Sequence, residues 1–137
     1  MNPRVLVVDD EPAIATGLRV FLEDEGMQVD CASSGEEAVD IARSKSDYDV
    51  CIMDMRLPVM NGDAAIRALH HICPDLKFII HTGSANYSIP DDLRAMGIDE
   101  SRFFAKPMMD MKPLAESVEA LASGRDRRSE QPDKRRG

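Results

Sequence analysis

Five polar residues could together carry out phosphoryl chemistry. Each lies at the end of a short apolar run: they are Asp9, Asp10, Asp54, Thr82 and Lys106. Two carboxylates about 5 Å apart repel each other by roughly 3 kcal/mol at an effective dielectric constant near 20, so three in one pocket call for a cation. Mg²⁺ prefers oxygen ligands and suits a site with carboxylates, a main-chain oxygen, waters and a phosphate oxygen.

The position of Asp54 suits it to act as a covalent nucleophile toward phosphorus. It follows a buried apolar run, and a carboxylate at the floor of a cleft can attack a phosphoryl group. A metal ion, the Lys106 ammonium and the Thr82 hydroxyl would stabilise the charge on the transferred group. Simpler interpretations remain open. Asp9 and Asp10 could only cap a helix. Lys106 could form a surface ion pair, and Thr82 could merely end a strand.

Strand-like and helix-like runs alternate five times, and this order must position the polar residues. Short β-branched runs are typical of buried parallel strands, and apolar residues three or four apart are typical of helices. The predicted strands are 4–8, 28–32, 50–53, 77–81 and 102–105. The predicted helices contain 14–22, 36–43, 66–72, 90–96 and 110–122. The pattern predicts an α/β fold, a doubly wound parallel sheet that binds ligands at the carboxyl ends of its strands.

Helix ends follow from local capping signals. Gly26 is the predicted C-cap of the first helix, and Pro74 stops the third. Ser34 and Glu37 form an S-x-x-E capping box for the second helix, and Ser88 is a candidate cap for the fourth.

Length and composition are typical of one globular domain. The 137 residues are 43% hydrophobic and 31% charged, and a chain of this length needs no disulfide or metal to fold. The longest apolar runs have four residues, which argues against a membrane helix or a signal peptide. Three separated cysteines, Cys31, Cys51 and Cys73, lack the spacing of a disulfide framework or a zinc site and favour the cytoplasm.

The charge distribution argues against direct binding to nucleic acid. Residues 1–123 carry 11 basic and 22 acidic residues, whereas 124–137 carry six basic and three acidic ones. An acidic body lacks the basic face that nucleic acids require. Residues 124–137 have no apolar side chain, so we expect a domain over 1–123 followed by a disordered charged tail or linker stub.

Four motifs together resemble the receiver domains of two-component response regulators. They are Val5–Glu11, Asp54–Gly62, Thr82–Ser84 and Lys106–Pro107. In that order, they lie at the carboxyl ends of the first, third, fourth and fifth predicted strands. Any one motif alone is unspecific, but the combination is highly specific and covers residues 4 to about 123. The resemblance implies a flavodoxin-like sheet with strand order 2-1-3-4-5 and five helices.

The resemblance also implies a role for each acidic residue. Asp54 would accept a phosphoryl group from the phosphohistidine of a histidine kinase. Asp10 and Asp54 would bind Mg²⁺ directly, and Asp9 would act largely through water. The main-chain carbonyl of Arg56 would complete the protein ligands.

The other motif residues would sense the phosphoryl group. Lys106 would contact its oxygens, and the Lys106–Pro107 peptide bond would be cis, which is a low-cost isomer before proline. Thr82 would move toward the phosphoryl group, and Phe103 would then turn inward. Phe103 lacks the hydroxyl of the tyrosine that is common at its position.

The implied function is a cytoplasmic, phosphorylation-dependent signalling switch. Phosphorylation would shift the face formed by the fourth helix, fifth strand and fifth helix. The chain would catalyse only its own phosphorylation and dephosphorylation and is therefore not classed as an enzyme. Its partners would be a histidine kinase or phosphotransfer protein, and a downstream protein or an effector domain outside this sequence. We expect no direct contact with nucleic acid or membrane; a homodimer formed on phosphorylation is a further option.

Two other classes of protein suit parts of this pattern. Phosphatases of the haloacid dehalogenase-like kind also use an aspartyl nucleophile, but their D-x-D pair would place a carboxylate where Arg56 stands. A flavin-binding flavodoxin-like module needs a phosphate loop after the first strand, where Asp9, Asp10 and Glu11 would repel a phosphate. Turnover of a phosphatase substrate, or a yellow chromophore, would favour these alternatives.

Overall fold

The protein forms the predicted α/β fold, built around a central parallel sheet. The structure is a computed structural model that describes residues 2–83 and 86–130, with backbone alone for 125–130. The strands are β1 (Arg4–Val8), β2 (Gln28–Ala32), β3 (Val50–Met53), β4 (Lys77–Thr82) and β5 (Phe103–Ala105). All neighbouring strands are parallel, and their order is β2-β1-β3-β4-β5, as the resemblance implied.

Five α-helices connect or follow the strands in the part of the chain that the structure describes. They are α1 (Pro12–Asp24), α2 (Gly35–Ser44), α3 (Gly62–Ile72), α4 (Asp91–Ala95) and α5 (Lys112–Glu130). A short 3-10 helix, Glu100–Arg102, precedes β5. Within residues 2–83 and 86–130, none of these helices combines the length and apolar character needed to cross a bilayer.

The sheet separates two hydrophobic cores because side chains alternate between its faces. On one face, strand residues pack with α2, α3 and α4; they include Leu6, Cys51 and Ile80. On the other face, strand residues pack with α1 and α5; they include Val7, Ile52 and Ile79. The helices contribute to this second core with Leu18, Leu22, Leu114 and Val118.

The third helix ends at the predicted proline, whereas the C-cap of the first helix lies one residue before the predicted Gly26. Gly26 follows Glu25, the C-cap residue of α1, and its φ of 90° lies in the left-handed region that glycine adopts without strain. Helix α3 ends at Ile72 with Cys73 as its C-cap, directly before Pro74.

The predicted caps of the second and fourth helices are confirmed only in part. Ser34 caps α2 by accepting a hydrogen bond from the Glu37 N–H, but the Glu37 carboxylate bonds Ser33 rather than Ser34. Ser88 does not cap α4. Pro90 occupies the N-cap position with extended backbone angles and makes no side-chain capping bond.

The last strand and the last helix also differ from the prediction. Arg102 lies in the 3-10 helix, so β5 begins at Phe103. Helix α5 continues to Glu130, beyond the predicted end at Ala122. No proline interrupts this extension, and Gly124 is tolerated in a helix at a cost of about 1 kcal/mol. Residues 131–137 of the expected tail lie outside the described residues, and the domain boundary at 123 stays a prediction.

The loop between β3 and α3 is tightly built against the strand end. A Cβ atom at Gly62 would lie 2.6 Å from the Met55 Cα and 2.7 Å from the Asp54 carbonyl oxygen, so only glycine fits there. Val59, in the middle of the loop, has a positive φ of 65° and is almost fully exposed.

Candidate functional site

The carboxyl ends of four strands bring the predicted polar residues together. Residues that follow β1, β3, β4 and β5 line one open pocket at this edge of the sheet. Its lining includes Asp10, Glu11, Asp54, Arg56, Lys106 and Pro107. The sheet topology therefore gathers residues from both ends of the chain into one site.

Three carboxylates form the acidic centre of this pocket. Oxygens of Asp9, Glu11 and Asp54 lie within 4.8 Å of one another. Asp9 and Asp54 are buried, whereas Glu11 is exposed. Asp10 lines the pocket without belonging to this group of three, and Glu11, which sequence reasoning did not select, belongs to it.

Lys106 supplies a positive charge at the centre of the site. Its Nζ lies 2.7 Å from Asp9 Oδ2, 3.0 Å from Glu11 Oε1 and 3.2 Å from Asp54 Oδ2. The Lys106 side chain is 11% exposed, so water screens these contacts less than it would on the surface. The interpretation of Lys106 as an ordinary surface ion pair is therefore wrong.

The pKa values in this cluster reflect burial and neighbouring charge. Burial raises the pKa of the Asp9 carboxyl, and repulsion from Asp54 adds to this, although Lys106 and the Glu11 N–H oppose it. Burial by itself would lower the pKa of Lys106, but hydrogen bonds and attraction from the carboxylates raise it overall. The lysine is therefore charged at neutral pH.

Backbone hydrogen bonds hold the two buried carboxylates in place. Asp9 Oδ1 accepts from the Glu11 N–H at 3.0 Å, and Asp54 Oδ1 accepts from the Arg56 N–H at 3.1 Å. The N-cap of α1 is Glu11, and its side chain makes no capping bond. Asp9 and Asp10 are therefore not the cap of this helix, and that simpler interpretation is wrong.

Thr82 and Phe103 lie on the same face of the sheet. Phe103 pairs with Ile80, which lies two residues before Thr82 in β4. Because side chains two residues apart point to the same side of a strand, Thr82 and Phe103 share one face of the sheet. Thr82 is fully buried and Phe103 is half-buried. Phe103 packs against the core shared with α2, α3 and α4.

The Lys106–Pro107 peptide bond is cis, the isomer that the resemblance implied. The Lys106 N–H donates to the Thr82 carbonyl oxygen at 2.9 Å, which fixes the lysine beside the end of β4. Ser84, the last residue of the Thr82–Ser84 motif, lies outside the described residues.

The residues present fit a hard divalent cation. Lys106 is the ammonium that contacts three of the carboxylates. Several carboxylates against one lysine leave an excess of negative charge, and their donor atoms are oxygens, as Mg²⁺ prefers. The carboxylates that line or form the site are those of Asp9, Asp10, Glu11 and Asp54.

His81 is a buried titratable group beside this site. It is 4% exposed, and its Nδ1 has no hydrogen-bond partner among the described residues. Burial, with the positive charge of Lys106 adding to it, lowers the pKa of His81 from 6.5 to about 4. The imidazole is therefore neutral at pH 7.

We predict that His81 makes the fold sensitive to acid. Between pH 6.5 and about 4, His81 binds a proton in the unfolded chain but not in the folded chain. The free energy of unfolding therefore falls as the pH is lowered through this range. The loss at pH 4 is on the order of 3 kcal/mol. His81→Val should flatten the dependence of unfolding free energy on pH in this range, measured by urea denaturation. The exposed His71 provides the control: a His71→Gln profile as flat as that of His81→Val would contradict the prediction.

Comparison with known proteins agrees with the fold. The chain belongs to the response regulator receiver domain family, whose profile matches residues 5–119. It is thereby a member of a class that works in phosphorylation-dependent two-component signalling.

Individual relatives show the same relationship. The cell cycle response regulator CtrA of Brucella ovis is 32% identical over 104 residues, which are 76% of this chain and 44% of that protein. This chain therefore spans less than half the length of that curated relative. A CheY-like receiver domain protein from Methanospirillum hungatei is 26% identical with a TM-score of 0.80, covering 93% of this chain and 98% of that one.

A second similar structure contains ligands. The response regulator TrrA of Thermotoga maritima, solved in complex with Mg²⁺ and BeF, is 32% identical with a TM-score of 0.72. The alignment covers 87% of this chain and 98% of that one. The alternative of a haloacid dehalogenase-like phosphatase is not supported, because the receiver profile accounts for residues 5–119.

Proposed function

We propose that this chain is a phosphoryl-accepting switch in which Asp54 is the acceptor and Mg²⁺ the cofactor. The observation that carries the proposal is the contact of Lys106 with Asp54 and Asp9 at the floor of an acidic pocket. An ammonium beside a buried carboxylate can stabilise the charge of a phosphoryl group transferred to that carboxylate.

Each residue has a role in the proposed transfer. An Asp54 carboxylate oxygen attacks the phosphorus of a phosphohistidine, a phosphorus–oxygen bond forms, and the phosphorus–nitrogen bond breaks. The electron pair of the broken bond returns to the histidine of the donor. Lys106 balances charge on the phosphoryl oxygens, and the Thr82 hydroxyl donates to one of them.

The proposed Mg²⁺ ligands are the carboxylates of Asp10 and Asp54 and the Arg56 carbonyl, with Asp9 acting through water. When bound, the ion neutralises charge on the acceptor and the phosphoryl oxygens. Glu11 belongs to the acidic group and bonds Lys106, so it helps to orient the lysine.

The signalling part of the proposal concerns partners and location. The phosphoryl donor is a histidine kinase or a phosphotransfer protein in the cytoplasm, and the chain turns over no other substrate. The output goes to a downstream protein, an effector domain or a second copy of the chain, through the face formed by α4, β5 and α5. Movement of Thr82 and Phe103 would change that face.

Incubation with acetyl phosphate and Mg²⁺, followed by intact-mass measurement, tests the proposal. We expect one phosphoryl adduct on the wild-type chain, none on Asp54→Asn, and none when Mg²⁺ is removed with a chelator. Asp49→Asn is a matched control, because Asp49 directly precedes β3 at the opposite end from Asp54, and it should still form the adduct. A wild-type chain that forms no adduct and binds no beryllofluoride would contradict the proposal.

A further inference from the structure

Tyr87 connects the proposed switch residue to a neighbouring helix. Its ring stacks on the Phe103 ring, with centroids 6.2 Å apart and planes inclined by 17°. Its hydroxyl donates to Asp63 Oδ1 at 2.5 Å. Tyr87 lies in the connection between β4 and α4, and Asp63 lies in the first turn of α3.

A second contact fastens the same region to α3. Arg67 of α3 donates from Nε and Nη2 to the two carboxylate oxygens of Asp92 in α4, at 2.6 and 3.1 Å. Asp63 and Arg67 are one helical turn apart. The chain from β4 into α4 is thus attached to α3 on both sides of Pro90.

Phe103 cannot make such an attachment itself because it has no hydroxyl. Tyr87 supplies the phenol from a different element and is half-buried beside Phe103 against the core of α2, α3 and α4. A ring held flat against Phe103 and anchored to Asp63 opposes any inward turn of Phe103. Aromatic pairs of this kind contribute beyond the area they bury.

The geometry points to Tyr87 as a positioning residue that, with Asp63, holds Phe103 in its unphosphorylated place and so restrains activation. This inference rests on the proposed function. On this inference the contact is made only in the unphosphorylated arrangement, so loss of the Tyr87–Asp63 bond should favour the phosphorylated one.

Beryllofluoride binding in the presence of Mg²⁺, measured by calorimetry, tests the inference. Tyr87→Phe keeps the ring and removes the hydroxyl, and we expect it to bind about fivefold more tightly than wild type. Asp63→Asn should act in the same direction with a smaller effect, and the double variant should gain less than the sum. Tyr48→Phe is the matched control and should bind as wild type does, because Tyr48 also donates to an aspartate at 2.5 Å but its ring lies beneath the Arg4 guanidinium rather than against Phe103.

A spectroscopic readout separates positioning from a structural role. The chain has two tyrosines and no tryptophan, so in Tyr48→Phe the near-ultraviolet tyrosine signal comes from Tyr87. We expect this signal to change when beryllofluoride binds, and an unchanged signal would contradict the inference. If the wild type binds beryllofluoride and Tyr87→Phe binds it equally or more weakly, the inference is wrong but the proposed function stands. Absence of binding to the wild type would overturn the inference, and absence of the acetyl phosphate adduct as well would also overturn the proposed function.

Discussion

Gly62→Ala should destabilise the folded protein by about 3 kcal/mol or more. The added Cβ would meet backbone atoms, the Met55 Cα and the Asp54 carbonyl oxygen, at distances that Cβ atoms essentially never adopt. Relief requires movement of the chain that directly follows β3 and carries the proposed acceptor. We therefore expect a lower urea midpoint and slower phosphorylation by acetyl phosphate.

Gly17→Ala is the matched control for this prediction. Gly17 lies inside α1, and nothing lies within 4 Å of the added Cβ. Alanine is favoured over glycine in a helix interior, so Gly17→Ala should stabilise the protein by about 0.5–1 kcal/mol. Equal changes in unfolding free energy for the two variants would contradict the close contact at Gly62.

Lys106→Met should destabilise the metal-free protein by about 3–5 kcal/mol, the usual cost of leaving a buried charge without its partner. The side chains of Asp9 and Asp54 are 2% and 5% exposed, and Lys106 is their shared cation. Asp54→Asn should have the opposite sign, because it removes one of the repelling charges. Chemical denaturation in the presence of a chelator measures both effects.

Mg²⁺ should reduce the defect of Lys106→Met, since binding to the folded state stabilises it. Lys45→Met is the control: Lys45 pairs with Asp30 at 3.4 Å on the surface, and exposed pairs contribute about 0–1 kcal/mol. A Lys106→Met chain as stable as Lys45→Met without metal would show that the three carboxylates do not depend on the lysine.

The strand ends and their polar residues could be predicted because they follow from local pattern. Apolar runs mark the strands, and parallel strands bring Asp9, Asp54 and Lys106 to one edge. The conformation of Val59 could not be predicted, because a β-branched residue disfavours the positive φ that this loop imposes.

Contacts between side chains that are far apart along the chain could not be predicted from the sequence either. Glu11 reaches Lys106 across 95 positions, and spacing alone did not distinguish it from Asp10. The stacking of Tyr87 on Phe103 depends on the path of the loop before α4, for which no local signal exists. The extent of α5 was missed because composition, rather than helix propensity, set its predicted end.

The central sheet gives the protein two interiors that are separated by the strands. Substitutions that touch one another couple, whereas distant ones add. In β5, Phe103 faces one core and the next residue, Phe104, faces the other. Related proteins can therefore accumulate substitutions in the core that contains Tyr87 and Phe103 while the core beneath α1 and α5 stays unchanged.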